Sequence, residues 1–198
     1  QTAKSIEDRI ISLRQEHPSW GARKLHRCLM NEGISSLPAP STISNILSRN
    51  GMLDKDESAK HKSWIRFEHE KPNDLWQMDF KGHFAMTSGR CHPLTVVDDH
   101  SRFNVCLAAC DNEKSITVKT ALTEAFRRYG LPARITMDNG APWGNASGVS
   151  RHTSLTVWLM LLGIRVSHSR PYHPQTQGKN ERFNQTLKRE VISRHVFS

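Results

Sequence analysis

Three carboxylates stand where a chemical site can form: Asp79 within an alternating stretch, Asp138 at the end of a short apolar run, and Glu181 in a polar helical segment. Carboxylates brought close repel one another, and the arrangement persists only when a proton or a cation neutralises it. A divalent ion is the natural partner, because Mg²⁺ takes oxygen ligands, uses few carboxylates and keeps places for water and phosphate oxygens. Two such ions about 3.5–4 Å apart clamp the attacking and leaving oxygens of an in-line phosphoryl transfer. The plain alternatives are a turn at Asp138-Asn-Gly140, a surface strand residue at Asp79 and a solvated helix at Glu181. Asp98 and Asp99 belong to Asp98-Asp-His-Ser-Arg102, which reads as a hairpin turn outside the site. His168 and His173 are either supporting groups or structural histidines.

The elements that must position these acids follow from periodicity. Leu75 to Phe84 alternates as a strand, with Trp76, Met78 and Phe80 on one face and Gln77 and Asp79 on the other. Pro93–Asp98 and Phe103–Ala109 complete an antiparallel meander, and a helix is expected from about Lys114 to Tyr129. A fourth strand, Ala133–Asp138, precedes a Gly/Ser/Asn-rich loop running to about His152; a helix with Leu155, Val157, Trp158 and Leu161 follows. Ile164–His168 is the fifth strand, and a turn with Pro174 opens the last helix. Phe183, Leu187 and Val191 form the expected apolar stripe of that helix, leaving Gly178, Glu181, Asn184, Gln185 and Lys188 on a polar face. The order β-β-β-α-β-α-β-α calls for an α/β fold, a mixed five-stranded sheet covered by helices. Ligands of open α/β sheets gather at the carboxyl ends of strands at a topological switch point. The first strand should neighbour the fourth there, placing Asp79 beside Asp138.

Ahead of this unit, apolar periodicity predicts three short helices, through Ile6, Ile10 and Leu13; Leu25, Cys28 and Leu29; and Ile43, Ile46 and Leu47, with Ser41 as the third N-cap. Such a trio can be an ordinary mini-bundle. It can also be a helix-turn-helix, because the third helix exposes Thr42, Ser44, Asn45, Ser48 and Arg49, residue types that face bases and phosphates. The expected division is 1–53 for the helical domain, 54–70 for a charged linker and 71–198 for the core. The formal net charge of +9 favours a polyanionic partner, and residues 71–198 carry most of it, with 17 Lys/Arg against 10 Asp/Glu. No apolar run approaches the roughly 20 residues that span a bilayer. Cys28, Cys91, Cys106 and Cys110 have no zinc-finger spacing; Cys106 and Cys110 read as buried thiols in a reducing, cytoplasmic setting. The chain starts at Gln1 without an initiator Met or a signal core, and reads as an excised piece.

Four motifs then occur in order: Trp76-Gln-Met-Asp79-Phe80, Val96-Val-Asp-Asp-His-Ser-Arg102, Asp138-Asn-Gly140 and His173-Pro-Gln-Thr-Gln-Gly-Lys-Asn-Glu181-Arg-Phe-Asn-Gln-Thr-Leu-Lys188. Together they resemble the DDE integrase core over about 71–190, and more narrowly that of bacterial insertion-sequence transposases related to retroviral integrases. Trp20-Gly-Ala-Arg-Lys-Leu25 and Pro40-Ser-Thr-Ile43 resemble the helix-turn-helix that precedes this core. The resemblance implies a ribonuclease H-like fold, two Mg²⁺ or Mn²⁺ ions per active site, cleavage at transposon ends and strand transfer into target DNA. It also implies double-stranded DNA as partner, a homo-oligomer assembled on that DNA, and a bacterial, nucleoid-associated location. Asp79, Asp138 and Glu181 match the catalytic, metal-holding triad, and Lys188 matches a basic position that touches DNA. Lys179 and Arg182 are expected to hold the DNA backbone beside it, with Thr42, Asn45 and Arg49 acting in the helix-turn-helix. A non-catalytic DNA-binding derivative and a ribonuclease H-like nuclease are the alternatives. Two departures stand out. The 42 residues between Asp138 and Glu181 exceed the family's pattern, with the surplus expected in 143–152; the C-terminal segment common in such transposases is absent after Ser198.

Overall fold

The computed structural model describes residues 2–34, 36–53, 68–144, 152–169 and 178–197. Most of the expected linker, most of the 143–152 loop and the turn at 171–177 with His173 and Pro174 lie outside the described residues. The chain divides into two compact units, Gln1–Ile65 and Arg66–Ser198.

In the first unit the described helices are α1 (Lys4–Glu16), α2 (Ala22–Asn31) and α3 (Pro40–Arg49). Their apolar positions recur at helical spacing, so one stripe of each can be buried. Ile10, Leu13, Leu25, Leu29, Ile43, Ile46 and Leu47 form that core. Helix α3 begins at Pro40 with Ala39 in the cap position, two residues ahead of the expected Ser41 cap. A proline in the first turn lacks only an N–H that would be unbonded anyway, and its fixed φ suits the helix. Arg14 ties the ends of the unit together, donating to the carbonyls of Trp20 (2.7 Å) and Met52 (3.0 Å).

The second unit is built on a sheet of strands β1 (Trp76–Phe80), β2 (Phe84–Ala85), β3 (Arg90–Asp98), β4 (Asn104–Cys110), β5 (Arg134–Met137) and β6 (Arg165–His168). Six strands stand where five are expected. The predicted first strand is interrupted at Gly82, whose φ of +83° turns the chain, and its far end becomes β2. The order is β2-β3-β1-β5-β6, with β4 on β3. β1 pairs antiparallel with β3 and parallel with β5, and β5 pairs parallel with β6. Parallel neighbours need crossovers, supplied by α4 (Ser115–Tyr129) and α5 (Ser154–Leu161). The last described helix is α6 (Gly178–Leu187), which ends in a π-helical turn, Lys188–Ile192.

Trp76 and Met78 of β1, with Leu94 and Val96 of β3, share the apolar core with Val118 and Leu122 of α4 and Leu155 and Leu159 of α5. Cys110 is buried, whereas Cys106 is half-buried, its thiol pushed up to about 11 by burial. Past β5 the chain folds back tightly. Trp143 is buried and stacks on Phe80 with ring centroids 5.3 Å apart. A Cβ on Gly144 would sit 2.0 Å from the Asn139 carbonyl oxygen, so only glycine fits that close approach. Trp143 thus anchors the segment that begins with Asp138. Trp143→Ala is expected to destabilise the protein by about 3–5 kcal/mol in urea denaturation, as for a large core side chain that leaves a cavity.

Candidate active site

The strand register brings the two aspartates together. Trp76 lies opposite Ile135 and Gln77 opposite Thr136 in the parallel pair β1–β5. Two residues further along both strands, Asp79 comes level with Asp138, at the carboxyl end of the sheet's central pair. Asp138 is held by the strand beyond it. The backbone N–H of Ser169 donates to the Met137 carbonyl (2.8 Å), Asn139 Nδ2 donates to the Ser169 carbonyl (2.9 Å), and His168 Nδ1 lies 2.7 Å from the Asp138 carbonyl. The Gly140 N–H donates to Asp138 Oδ1 at 3.0 Å. His168 therefore supports the loop that carries Asp138.

Burial above all, then the negative charges of Asp138 and Glu181, push the Asp79 carboxyl up to about 6; the Phe80 N–H and Lys81 pull the other way. Asp138 and Glu181 are thus both close enough to act on Asp79, with Asp138 the stronger neighbour. Glu181 is exposed on α6. Among the described residues no three His, Cys, Asp or Glu side chains are gathered closely enough to hold a metal ion. The arrangement is a tight aspartate pair with Glu181 on its flank.

Helix α6 meets the sheet differently from its expected apolar stripe. Its buried residues are Asn180, Asn184 and Leu187, while Phe183 is half-buried and Val191 exposed. The π-helical turn is the reason for Val191: a wider turn from Lys188 onward rotates it off the line of Phe183 and Leu187. The asparagines dock on the polar face of β1 and β3. The Thr95 hydroxyl lies 2.9 Å from Asn180 Oδ1, 3.1 Å from Asn184 Oδ1 and 3.1 Å from the Asp79 carbonyl, one proton among three acceptors. The Asn180 N–H donates to Gln77 Oε1 (3.2 Å), and Asn184 Nδ2 donates to Asp79 Oδ2 (3.3 Å).

Lys179 lies elsewhere than on the exposed side of the helix. Expected to hold DNA, it turns inward: its Nζ lies 2.7 Å from Asp99 Oδ2 and donates to the Asp99 carbonyl at 2.5 Å, with only 15% of the side chain exposed. Asp99 also accepts from Gln77 Nε2 (2.8 Å) and the His69 N–H (2.9 Å). Asp98 caps the adjoining turn through Ser101 and the Asn73 N–H. Both acids are buried. They lie outside the aspartate pair, as their turn motif suggests, but Asp99 receives the cation of the site helix. Arg182 and Lys188 are exposed. In the first unit Asn45 and Arg49 are exposed and Thr42 is half-buried; Arg49 is ion-paired with Glu7.

Gln77, Thr95, Asp99 and Asn180 were not legible as site-forming residues. The available signal was polar residues at inward-facing strand positions, Gln77 and Thr95, which lie two residues apart from other buried positions in otherwise apolar runs.

A mixed sheet with an antiparallel meander on one side, parallel strands on the other, helices on both faces and carboxylates at the switch point defines a ribonuclease H-like fold. Residues 69–174 match the integrase core domain family (rve), and residues 162–198 match a second integrase core domain family. The chain belongs to the integrase core family. It is 26% identical over 198 residues to the insertion element IS476 uncharacterized 39.2 kDa protein of Xanthomonas euvesicatoria, covering 98% of this chain and 55% of that protein. It is 23% identical over 196 residues to the insertion element IS407 uncharacterized 31.7 kDa protein of Burkholderia multivorans, covering 96% of this chain and 67% of that protein. The chain thus spans little more than half the length of the first. Among solved structures, the simian T-cell lymphotropic virus intasome in complex with PP2A regulatory subunit B56 gamma matches with a TM-score of 0.54 and 21% identity. That match covers 93% of this chain and 60% of that one, and it speaks for the fold. No helix among the described residues is long and apolar enough to cross a membrane.

The raised Asp79 has a pH consequence. The folded protein keeps this proton after the unfolded chain has lost it, so the stability contributed at Asp79 falls as pH rises from about 3.8 to about 6 and is level above. Carboxyl carbon-13 NMR should show the Asp79 midpoint near 6, and Asp138→Asn should lower it by removing the stronger neighbouring charge. A midpoint that does not move would separate the two carboxylates.

Proposed function

We propose that this chain is the end-binding and catalytic part of an insertion-sequence DNA transposase, which cleaves transposon ends and joins them to target DNA. The observation that carries the reading is Asp79 beside Asp138 at the carboxyl ends of β1 and β5, flanked by Glu181, in a chain of the integrase core family. The donor set fits a hard cation: carboxylate oxygens crowded until one of them holds its proton near pH 6. Asp79, Asp138 and Glu181 would hold Mg²⁺ or Mn²⁺, two ions per site, and the ions supply charge neutralisation for phosphoryl transfer.

The chain's own residues do the positioning. Asn184 orients Asp79 through Oδ2, while Asn139, His168 and Ser169 fix the backbone around Asp138. Glu181, exposed on α6, would supply the third carboxylate to a cation held by the pair. The balanced reaction breaks a phosphodiester by attack of water, leaving a 3′-hydroxyl; that hydroxyl then attacks a target phosphate and expels the target strand's own 3′-oxygen. Arg182 and Lys188 contact the DNA backbone from the exposed side of α6, and Thr42, Asn45 and Arg49 of α3 contact the transposon end. Double-stranded DNA is the partner, with the chain acting as a homo-oligomer assembled on it near the nucleoid.

The test is strand transfer on duplexes carrying the element's own ends, with and without Mn²⁺. Asp138→Asn should lower the rate by about 100-fold or more, the scale seen when one group that stabilises transition-state charge is removed; full activity in that variant defeats the assignment. Metal-independent binding to the ends with no strand transfer in Mn²⁺ would favour the non-catalytic binder instead. Lys188→Ala should weaken DNA binding alike for all sequences and reduce the slope of log K against log salt by about one, read by fluorescence anisotropy.

A further inference from the structure

We propose that Lys179 is a positioning residue, paired with the buried Asp99 to fix the rotation of α6 about its own axis and so to aim Glu181 at the aspartates. This rests on the catalytic reading above. Successive residues of an α-helix are turned by about 100°. Asn180 and Asn184, one turn apart, hold the middle of the buried face against Thr95 and Gln77. Lys179 and Glu181 therefore project on the two flanks of that face, about 100° to either side.

The flanks meet different ends of β1. Asp99 follows directly on the residue that pairs with Trp76 at the start of β1, whereas Asp79 lies near its end. Lys179 reaches the first end, and Glu181 faces the second. Any roll of α6 about its buried face, where Asn180, Asn184 and Leu187 sit, that frees Lys179 from Asp99 carries Glu181 with it. The pair resists that roll with two short contacts from Nζ, to the Asp99 carboxylate and to its carbonyl. Gln77 joins the two halves of the lock, since its Nε2 donates to Asp99 while its Oε1 accepts from the Asn180 N–H.

Charge reinforces the argument. A cation in the first turn of a helix opposes the helix dipole, while a carboxylate near that end is favoured. Asp99 offsets the cost of Lys179 there, so the two are tied as a unit. Removing Lys179 alone leaves a buried carboxylate without its cation, and neutralising Asp99 as well relieves that defect.

The experiment compares the full chain with Lys179→Met, Asp99→Asn and the double variant. Three readings are taken: the rate of Mn²⁺-dependent end cleavage, the affinity for duplex DNA with its salt slope, and hydrogen exchange across Gly178–Asn184. Lys179→Met should slow cleavage by about 10- to 100-fold, the range for groups that act through a ligand, with DNA affinity and salt slope unchanged. Exchange in α6 should rise, and the double variant should stay slow, because neutralising Asp99 relieves the unpaired charge without restoring the contact that aims α6. Full recovery of the rate would show a charge defect alone and overturn the lock. If Lys179→Met does not fold, Lys179→Arg takes its place: it keeps the charge on a larger planar head and should slow cleavage at unchanged DNA affinity. Weaker DNA binding with a salt slope reduced by about one, not rescued by Asp99→Asn, would make Lys179 a phosphate contact and overturn the proposal. A wild-type chain with no metal-dependent cleavage defeats the proposed function instead; unchanged exchange in α6 would then overturn the lock separately.

Discussion

A seam of buried amide and hydroxyl groups between α6 and the sheet is the contact on which the arrangement of the acids depends. Asn180, Asn184 and Thr95 are buried there, with Leu187 the buried apolar residue of the same helix. Burying amides costs free energy unless their hydrogen bonds are made, and once made they specify one geometry. An apolar stripe would hold the helix as well, but would tolerate sliding and rolling. The polar seam ties each asparagine to a particular oxygen on β1 or β3. Glu181 inherits its place from those bonds.

The same face of the sheet carries two opposed demands. Asp79 is drawn into a partly buried position by its place in β1, and there it meets Asp138. Its proton is retained toward pH 6 because charge is costly at that depth and the neighbour is negative. Asp99, also buried on this side, follows the other course and is matched by Lys179, Gln77 and a backbone N–H. One acid is fully satisfied and one is left crowded. That contrast separates a structural carboxylate from a candidate catalytic one, and it emerges only from what surrounds each.

The tight fold-back after β5 has a similar logic. Trp143 is buried against Phe80, and Gly144 admits the Asn139 carbonyl at a distance no side chain permits. The backbone leaving Asp138 is thereby held from both sides, by β6 through Asn139 and His168 and by the core through Trp143. An acid at a strand end would otherwise sit on a freely moving loop.

Sequence by itself determined most of the element order, much of the core of each unit and the neighbourhood of Asp79 and Asp138, although Val157 and Leu161 of the expected core face solvent. These follow from hydrophobic period and from the rule that parallel strands need crossovers, both of which are local or topological. The ordered motifs carried the family. The break at Gly82 that makes a sixth strand, the π-helical turn that moves Val191 off its stripe, and the inward turn of Lys179 were decided by tertiary structure alone. The reason is physical. A lysine, an asparagine or an aspartate reads as surface until a partner of opposite polarity is brought to it across the fold. Lys179 and Asp99 stand 80 residues apart in the chain and 2.7 Å apart in space, and no pattern along the sequence encodes that distance.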